Sequence, residues 1–180
     1  AFDPRHLSYA EMHNFTFWRK LRMKKVVKFG GSSLASAEQF KKVGNIIRAE
    51  ESRRYVVPSA PGKRFSADTK VTDMLYGCYA AAENGEDFTE KLAAIKDRYQ
   101  EIINGLGLKF ILDEDFEVIR KNFAEKAGSN YAASRGEFLN GKIMAAYLGF
   151  EFIDAAEVVR FDENGDFQSE ITNENYVCTT

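Results

Sequence analysis

A glycine pair followed by a serine pair, within Lys28-Phe29-Gly30-Gly31-Ser32-Ser33, is the first segment whose residue types could do chemistry. It comes after the β-branched pair Val26-Val27 and before a helical pattern. Such glycines can adopt backbone angles closed to other residues and let a ligand approach the main chain, while N–H groups at the start of a helix attract phosphate oxygens. Lys28 would add an ammonium where charge develops on a transferring phosphoryl group. The segment predicts a phosphate-binding turn, although a Gly-Gly pair can also serve only a tight connection, and the spacing is not that of a Walker A motif.

A second polar loop, Ser59 to Arg64, follows the apolar segment Tyr55-Val56-Val57. The carboxyl end of a strand is where α/β sheets place ligands. Small residues in this loop would let an anion approach, and Lys63 and Arg64 could supply positive charge; the alternative is a solvated basic loop. Thr72, in the first turn of the next helical pattern, could present its hydroxyl or N–H group to a carboxylate, or it could simply cap the helix.

A third segment, Ser134-Arg135-Gly136-Glu137, places a glycine inside a helical pattern. A glycine there costs about 1 kcal/mol relative to alanine unless something needs the space, and a closely packed ligand would explain it. Glu137 could accept hydrogen bonds from a substrate ammonium. The alternative for Glu137 is an ordinary solvated carboxylate on a helix.

Metal and thiol chemistry find little support in the sequence. The acidic segment Asp162 to Asp166 is not a calcium loop, because its glycine stands at the fourth position instead of the sixth and no glutamate stands at the twelfth. Cys78 lies on the apolar face of a helical pattern and is expected in the core. With Cys178 it makes only two cysteines, too few and too far apart for a disulfide framework or a zinc site, so a reducing cytoplasm fits best.

The composition is that of a soluble globular protein, with 44% apolar and 29% charged residues, and the length of 180 residues indicates one domain or a piece of one. A net charge of −2 with no basic stripe argues against nucleic acid as a partner. No apolar run approaches the roughly 20 residues that a membrane span needs. Residues 1–22 lack the apolar stretch of a secretory signal, so membrane insertion and secretion are both disfavoured and a cytoplasmic location is expected.

The elements that must hold these segments follow from hydrophobic periodicity. Residues 1–22 are interpreted as an N-terminal extension of unknown origin, and Met23 resembles a natural start. Strands alternating with helices indicate an α/β protein with a largely parallel sheet. The predicted elements are a strand at Val26-Val27, a helix capped by Ser36 and Gln39 and ending near Arg54, a strand at Tyr55–Val57, a helix from Val71 to Asn84-Gly85, an inserted pair of helices over Phe88–Gly105 and Phe116–Phe123, a helix from near Tyr131 to Gly149, strands at Phe150–Ile153 and Val158–Phe161, and a turn at Asp162–Gly165.

The ordered set of four segments resembles the aspartate kinases of the amino acid kinase superfamily. Relatives that act on glutamate, acetylglutamate, carbamate or uridylate share the glycine turn loosely but differ at the Ser-x-Gly-Glu segment. The resemblance covers about Met23 to Asp162. It rests on Val27–Ser33, Val57–Arg64, Lys70–Asp73 and Ser134–Glu137.

The resemblance implies a three-layer α/β/α sandwich of the amino acid kinase (carbamate kinase-like) type, with residues 23–180 as the N-terminal portion of its catalytic domain. It implies phosphorylation of the side-chain carboxylate of L-aspartate by ATP with Mg²⁺, giving 4-phospho-L-aspartate, the first step toward lysine, threonine and methionine. It also implies a homo-oligomer in the full-length protein. By position, Lys28 resembles the family's catalytic lysine, and its phosphate cradle corresponds to Phe29, Gly30, Gly31 and Ser32. The second phosphate-side loop corresponds to Ser59 and Ala60, and Ser59 would also lie near the substrate. Thr72 resembles the threonine that contacts the substrate, and Glu137 resembles the carboxylate that faces the aspartate amine.

The family's catalytic domain continues well beyond Thr180. Its later arginine-glycine-glycine-serine-aspartate segment, its adenine and ribose contacts and its regulatory domains have no counterpart in this sequence. We therefore expect an incomplete sheet, together with the aspartate pocket and part of the phosphate pocket. The alternative is a catalytically silent binding or assembly module of the same ancestry.

Overall fold

The computed structural model describes the backbone of residues 24–179 and, within that range, the side chains as far as residue 175. The predicted extension, residues 1–22, lies outside the described residues. None of the described helices is long and apolar enough to cross a bilayer. The elements are β1 (Lys25–Phe29), a 3-10 turn (Gly31–Leu34), α1 (Ala37–Arg48), β2 (Arg53–Pro58), α2 (Val71–Glu83), α3 (Thr89–Leu106), α4 (Asp113–Ala124), α5 (Ser129–Leu148), α6 (Ala155–Val158) and α7 (Ser169–Thr179).

The two strands pair in parallel, with Val27 opposite Val56. Because side chains alternate along a strand, these valines face the helices, and Val26 and Val57 lie on the outer face, 69% and 49% exposed. The predicted α/β class and parallel pairing are confirmed. Of the implied three layers, the described residues form a two-stranded sheet and the helices packed on one of its faces.

Helix α1 begins where its sequence predicts. Ser36 has extended backbone angles, and its hydroxyl accepts a hydrogen bond from the Gln39 N–H at 3.4 Å, the contact that an N-terminal cap makes. The helix ends at Arg48, earlier than the predicted end near Arg54. The reason is that strand pairing already begins at Arg53, opposite Lys25.

Helix α3 runs through Gly105, its predicted end, and stops at Leu106. The terminating residue is Gly107, which takes the left-handed conformation at φ +69° that ends many helices. Gly105 instead brings α3 close to α1, because a Cβ there would lie 2.5 Å from the Cβ of Ala37.

The strand predicted at Phe150–Ile153 is wrong, since this segment has no strand partner among the described residues. The ring of Phe152 packs edge-on against Phe138 of α5, with centroids 5.4 Å apart. A Cβ on Gly141 would approach that ring to 2.9 Å, so this glycine makes room for it. Apolar character here reflects packing on a helix.

The strand predicted at Val158–Phe161 is also wrong. Val158 ends the short helix α6, and Phe161 forms only a single antiparallel bridge with Phe167. The tight turn between them is confirmed: the Gly165 N–H donates to the Asp162 carbonyl at 3.0 Å, and Gly165 has φ +85°.

The core lies between the helices. Tyr79, Phe123 and Tyr131 bring α2, α4 and α5 together through edge-to-face ring contacts, with centroids 5.5 and 6.3 Å apart. Such pairs stabilise beyond the area they bury. The predicted helices α2, α4 and α5 are confirmed, and Cys78 is fully buried among them, as predicted.

Candidate functional site

The glycine turn at the end of β1 is shaped by a neighbouring loop more than by backbone freedom. Neither Gly30 nor Gly31 has positive φ, which corrects the expectation of unusual backbone angles. Gly31 is required by close approach, because a Cβ there would lie 2.7 Å from the carbonyl oxygen of Ala60. Beyond the turn, residues Gly31–Leu34 form a 3-10 turn instead of entering the α-helix directly.

The second loop is hydrogen-bonded to the glycine turn. The Ser59 N–H donates to the Phe29 carbonyl at 3.0 Å, and the Gly62 N–H donates to the Gly31 carbonyl at 2.8 Å. A Cβ on Gly62 would come within 2.7 Å of the Gly31 carbonyl carbon. The two loops that follow β1 and β2 are therefore held side by side, as expected for the carboxyl ends of adjacent parallel strands.

The glycine inside α5 has a packing explanation. A Cβ on Gly136 would lie 2.7 Å from the Cβ of Ala60 and 3.3 Å from Leu75 Cδ1. The space is taken by the second loop and α2, so a closely packed ligand, the explanation expected from sequence, is not needed. The glycine instead brings Glu137 up to the loop.

Two buried polar side chains fix α5 against its surroundings. Asn140 donates from Nδ2 to the Ser59 carbonyl at 2.6 Å, and the hydroxyl of Tyr99 donates to the Gly136 carbonyl at 2.8 Å. Burial, and then the nearby carboxylate of Glu137, raises the pKa of Tyr99 well above its ordinary value. Tyr99 therefore stays protonated as a donor.

These segments enclose one cavity of about 480 Å³. It carries two lysines and one carboxylate, which lie among hydroxyls and small residues. The cavity therefore suits a ligand that is anionic overall and carries one cationic group. It is lined by Gly31, Ser32, Ser59, Ala60, Pro61, Gly62, Lys63, Lys70, Thr72 and Glu137.

Thr72 lies at the second position of α2 and lines the cavity. The alternative that it caps the helix is wrong, because Lys70 is the capping residue and makes no side-chain cap. The helix start is held by a bond from the Val71 N–H to the Pro61 carbonyl at 3.1 Å.

Glu137 is exposed at the cavity, and its Oε1 accepts a long hydrogen bond, 3.5 Å, from the Ala60 N–H. One such contact leaves most of the acceptor capacity of a carboxylate available to a ligand. That arrangement suits the predicted contact with an ammonium, which stays a prediction.

Three predicted residues do not line the cavity. Lys28 is exposed on the outer face of β1, and neither it nor Gly30 is in the cavity lining; a Cβ on Gly30 would lie 3.9 Å from Lys28 Nζ. Phe29 is half-buried against the core, and its main chain, through the bond to Ser59, is what joins it to the site. Their roles toward phosphate stay predictions.

The two basic residues of the second loop separate. Lys63 lines the cavity, whereas Arg64 turns away and bonds the carboxylates of Asp68 and Glu101, with its NH1 2.7 Å from Glu101 Oε2. Arg64 is therefore committed to the protein, and the expectation that it supplies charge to an anion is not met.

Arg98, a buried arginine that hydrogen-bonds to this loop, was not identified from the sequence. Arg98 of α3 is 5% exposed and donates to Asp68 and to the Gly62 carbonyl. The available signal was its place on the apolar face of α3, three residues after Ile95 and four before Ile102. A charged residue on such a face needs a buried partner.

The residues present fit the phosphate end of a nucleotide better than a metal ion alone. Amides of the glycine turn, the Ser32 hydroxyl and the lysines suit phosphate oxygens. No group of three acidic or metal-ligating side chains that could hold a metal occurs in residues 24–175. Magnesium in such sites commonly keeps waters and binds through substrate phosphates, a mode compatible with a single carboxylate nearby.

Sequence comparison with known proteins finds aspartokinases. The chain is 40% identical over 160 residues to aspartokinase 3 of Bacillus subtilis (strain 168), covering 83% of this chain and 34% of the relative. It is 31% identical over 147 residues to the chloroplastic aspartokinase 1 of Arabidopsis thaliana, covering 76% of this chain and 25% of the relative. The chain thus spans about a third or less of these relatives.

Solved structures show the same fold. The aspartate kinase of Clostridium acetobutylicum, 49% identical, superposes with a TM-score of 0.80 over 83% of this chain and 35% of its own. Aspartokinase III of E. coli in complex with aspartate and ADP, 22% identical, gives a TM-score of 0.67 over 85% of this chain and 36% of its own, a likeness of fold alone. The model of the amino acid kinase family matches residues 23–175. The chain therefore belongs to the amino acid kinase family.

Proposed function

We propose that this chain forms the aspartate pocket and part of the phosphate pocket of an aspartate kinase, which transfers a phosphoryl group from ATP to the side-chain carboxylate of L-aspartate. The observation that carries the proposal is the single cavity in which the glycine turn, the second loop and Glu137 meet. Similarity to aspartate kinases over most of the chain supports it. A cytoplasmic homo-oligomer as the full-length protein, acting in the first step toward lysine, threonine and methionine, is part of the proposal.

The charges of the cavity match L-aspartate group by group. Glu137 would accept hydrogen bonds from the ammonium of the amino acid, and charge-assisted bonds of this kind are the stronger ones. Lys63 and Lys70 would offset its carboxylates, and Thr72 and Ser59 would donate to them. This places one cationic and two anionic groups of the ligand against opposite charges of the protein.

On the phosphate side, Gly31 and Ser32 would hold phosphate oxygens through backbone N–H groups and a hydroxyl. A carboxylate oxygen of the substrate forms the new bond to the γ-phosphorus while the bond from that phosphorus to the bridging oxygen breaks, releasing ADP. The nucleophile is already ionised near pH 7, so no general base is required. The work left to the protein is positioning and charge neutralisation.

Lys28 would reach over the glycine turn to the transferring phosphoryl group from the outer face of the sheet. The described residues would offer at most the Glu137 carboxylate and nearby hydroxyls to a magnesium ion, which would supply further charge neutralisation when bound. No covalent enzyme intermediate is needed.

One observation favours a second candidate, a catalytically silent amino-acid-binding module. Lys28, the implied catalytic lysine, lies outside the cavity lining, whereas the substrate-side residues line it. Binding and turnover therefore have to be measured separately.

The test uses calorimetry on the purified chain. We expect Glu137→Ala to weaken L-aspartate binding by about tenfold or more, since a hydrogen bond to a charged group contributes about 1.5–3 kcal/mol, and to leave MgATP binding almost unchanged. Glu83→Ala, which removes an exposed carboxylate at the far end of α2, serves as the matched control. Turnover is followed by trapping the acyl phosphate with hydroxylamine.

Equal losses of affinity for L-aspartate and MgATP in Glu137→Ala would contradict the role proposed for Glu137. If the wild-type chain binds neither ligand, the preformed pocket is disproved. If it binds L-aspartate without turnover, the silent module is favoured, and acyl phosphate formation would exclude that module.

A further inference from the structure

The loop between Gly62 and Lys70, which borders the cavity, contains one partner of a buried ion pair. Arg98 NH1 lies 2.6 Å from Asp68 Oδ2, and the two side chains are 5% and 9% exposed. Taking two such charges out of water costs free energy, and apolar residues of similar size often stabilise a fold as well or better. Stability alone therefore does not explain the pair.

Asp68 organises its own loop as well. Its Oδ2 accepts from both the main-chain N–H and the Nε of Arg64 at 2.9 Å, and its Oδ1 accepts from Arg64 NH2 at 3.1 Å. The stretch from Arg64 to Asp68 is thereby closed into a compact loop. Arg98 joins that loop to α3, which has no residue in the cavity lining.

The same guanidinium reaches the wall of the cavity. Arg98 NH2 donates to the Gly62 carbonyl at 3.0 Å, while the N–H of Gly62 donates to Gly31 in the glycine turn. Gly62 is thus held on both sides, and Lys63 follows it directly. A substitution of Arg98 would therefore remove a hydrogen bond from Gly62, the residue directly before Lys63.

We propose that Arg98, paired with Asp68, is a positioning residue that sets the loop Gly62–Lys70 against the glycine turn. This inference rests on the proposed function of the cavity. An arginine suits the task, because its planar fork serves two separate acceptors at once, whereas a lysine ammonium acts as a point charge. By means of Arg98, helix α3 orders the ligand-binding loop. The sequence predicted this helix only as part of an inserted helical pair.

Two variants of the whole chain test the proposal. Arg98→Lys keeps the charge but not the fork. The double variant Arg98→Met with Asp68→Leu removes both buried charges, so no unpaired buried charge remains to unfold the chain. Because it also removes the hydrogen bonds that Asp68 accepts from Arg64, it tests only whether the pair is needed for stability. Arg120→Lys and Arg120→Met are the matched controls, because Arg120 pairs with Glu117 where both are more than half exposed.

Amide hydrogen exchange of residues 63–70, L-aspartate affinity and the melting temperature are measured together. We expect Arg98→Lys to exchange faster in this loop and to bind L-aspartate about tenfold more weakly, the loss of one charge-assisted hydrogen bond. The double variant should melt close to wild type, and the Arg120 variants should match wild type throughout.

Wild-type exchange in the loop of Arg98→Lys would overturn the proposal. A fall in melting temperature for that variant, with loop exchange and affinity unchanged, would also overturn it by showing a purely structural pair. If wild type binds no L-aspartate, the proposed function fails, and the exchange measurement alone still decides whether Arg98 orders the loop.

Discussion

At the scale of single residues, the chemistry of the cavity depends on which charges the protein has already paired. Arg64 and Arg98 share the carboxylate of Asp68, and their guanidiniums hold that carboxyl's pKa below its ordinary range. Lys63, by contrast, makes only a long contact of 3.5 Å with the Ser66 carbonyl. The lysine rather than the arginine is thus placed to exchange its contact for a ligand.

Cys78 should be an unreactive thiol. Burial raises its pKa to about 11, so the thiolate that reacts with disulfide reagents is scarce near neutral pH. In a Cys178→Ser background we expect labelling of the folded chain at about pH 8 to be at least about a hundredfold slower than labelling of the denatured chain. Absorbance of the released aromatic thiolate follows the reaction, and the same chain in guanidinium chloride gives the reference rate. Equal rates would mean that Cys78 is accessible in the folded state.

At the scale of elements, two helix glycines that look alike in sequence should respond oppositely to alanine. Gly77 of α2 is exposed and has open space at its Cβ position, so Gly77→Ala should stabilise by up to about 1 kcal/mol. Gly136→Ala would push α5 from Ala60 and should destabilise by about 1–3 kcal/mol. Denaturant unfolding of the ligand-free chain measures both changes.

The pair of variants also separates two explanations of Gly136. If the glycine existed to make room for a ligand, Gly136→Ala would leave the ligand-free chain as stable as wild type, or more stable, like Gly77→Ala. Destabilisation without ligand is expected only from the packing that the structure shows.

At this scale, the features that could be predicted are those that depend only on residues close together in sequence. The cap at Ser36, the apolar faces of α2 and α5 and the turn before Gly165 depend on neighbours a few residues away, and all are confirmed. The strand expected at Phe150–Ile153 depends on a partner strand, which no local pattern supplies.

The candidate site divides in the same way. The segments that meet in the cavity were identified from their residue types, because glycines, hydroxyls and a carboxylate are unusual at those places. The reasons why glycine is needed at Gly31 and Gly136 could not be predicted, since each of these glycines makes room for a loop that is distant in sequence. Arg98 was missed because its partners, Asp68 and Gly62, lie on another element.

At the scale of the whole molecule, stability should depend on acid groups that join separate elements. Glu50 links the start of β1 to the start of β2, since it accepts from Lys25 at 2.5 Å and pairs with Arg53 at 3.1 Å. The hydrogen bond from Lys25, then that from Ser52, lowers the pKa of Glu50 from 4.5 to about 2. The lowered pKa means that the folded chain holds this carboxylate ionised in acid where the unfolded chain would protonate it.

The sign of the pH dependence follows from that difference. Between about pH 4.5 and pH 2 the unfolded chain binds more protons at Glu50, so the stabilisation from this group is complete above 4.5 and is lost as the pH falls toward 2. We expect Glu50→Gln to be less stable than wild type at about pH 7 and the gap to narrow through the acid range. Urea unfolding at a series of pH values measures this gap in stability. Glu51→Gln, the same change at an exposed neighbour, should show no such gap relative to wild type. A gap that stays constant with pH would assign the loss to geometry instead of charge, and the two strands would then owe their alignment to backbone pairing alone.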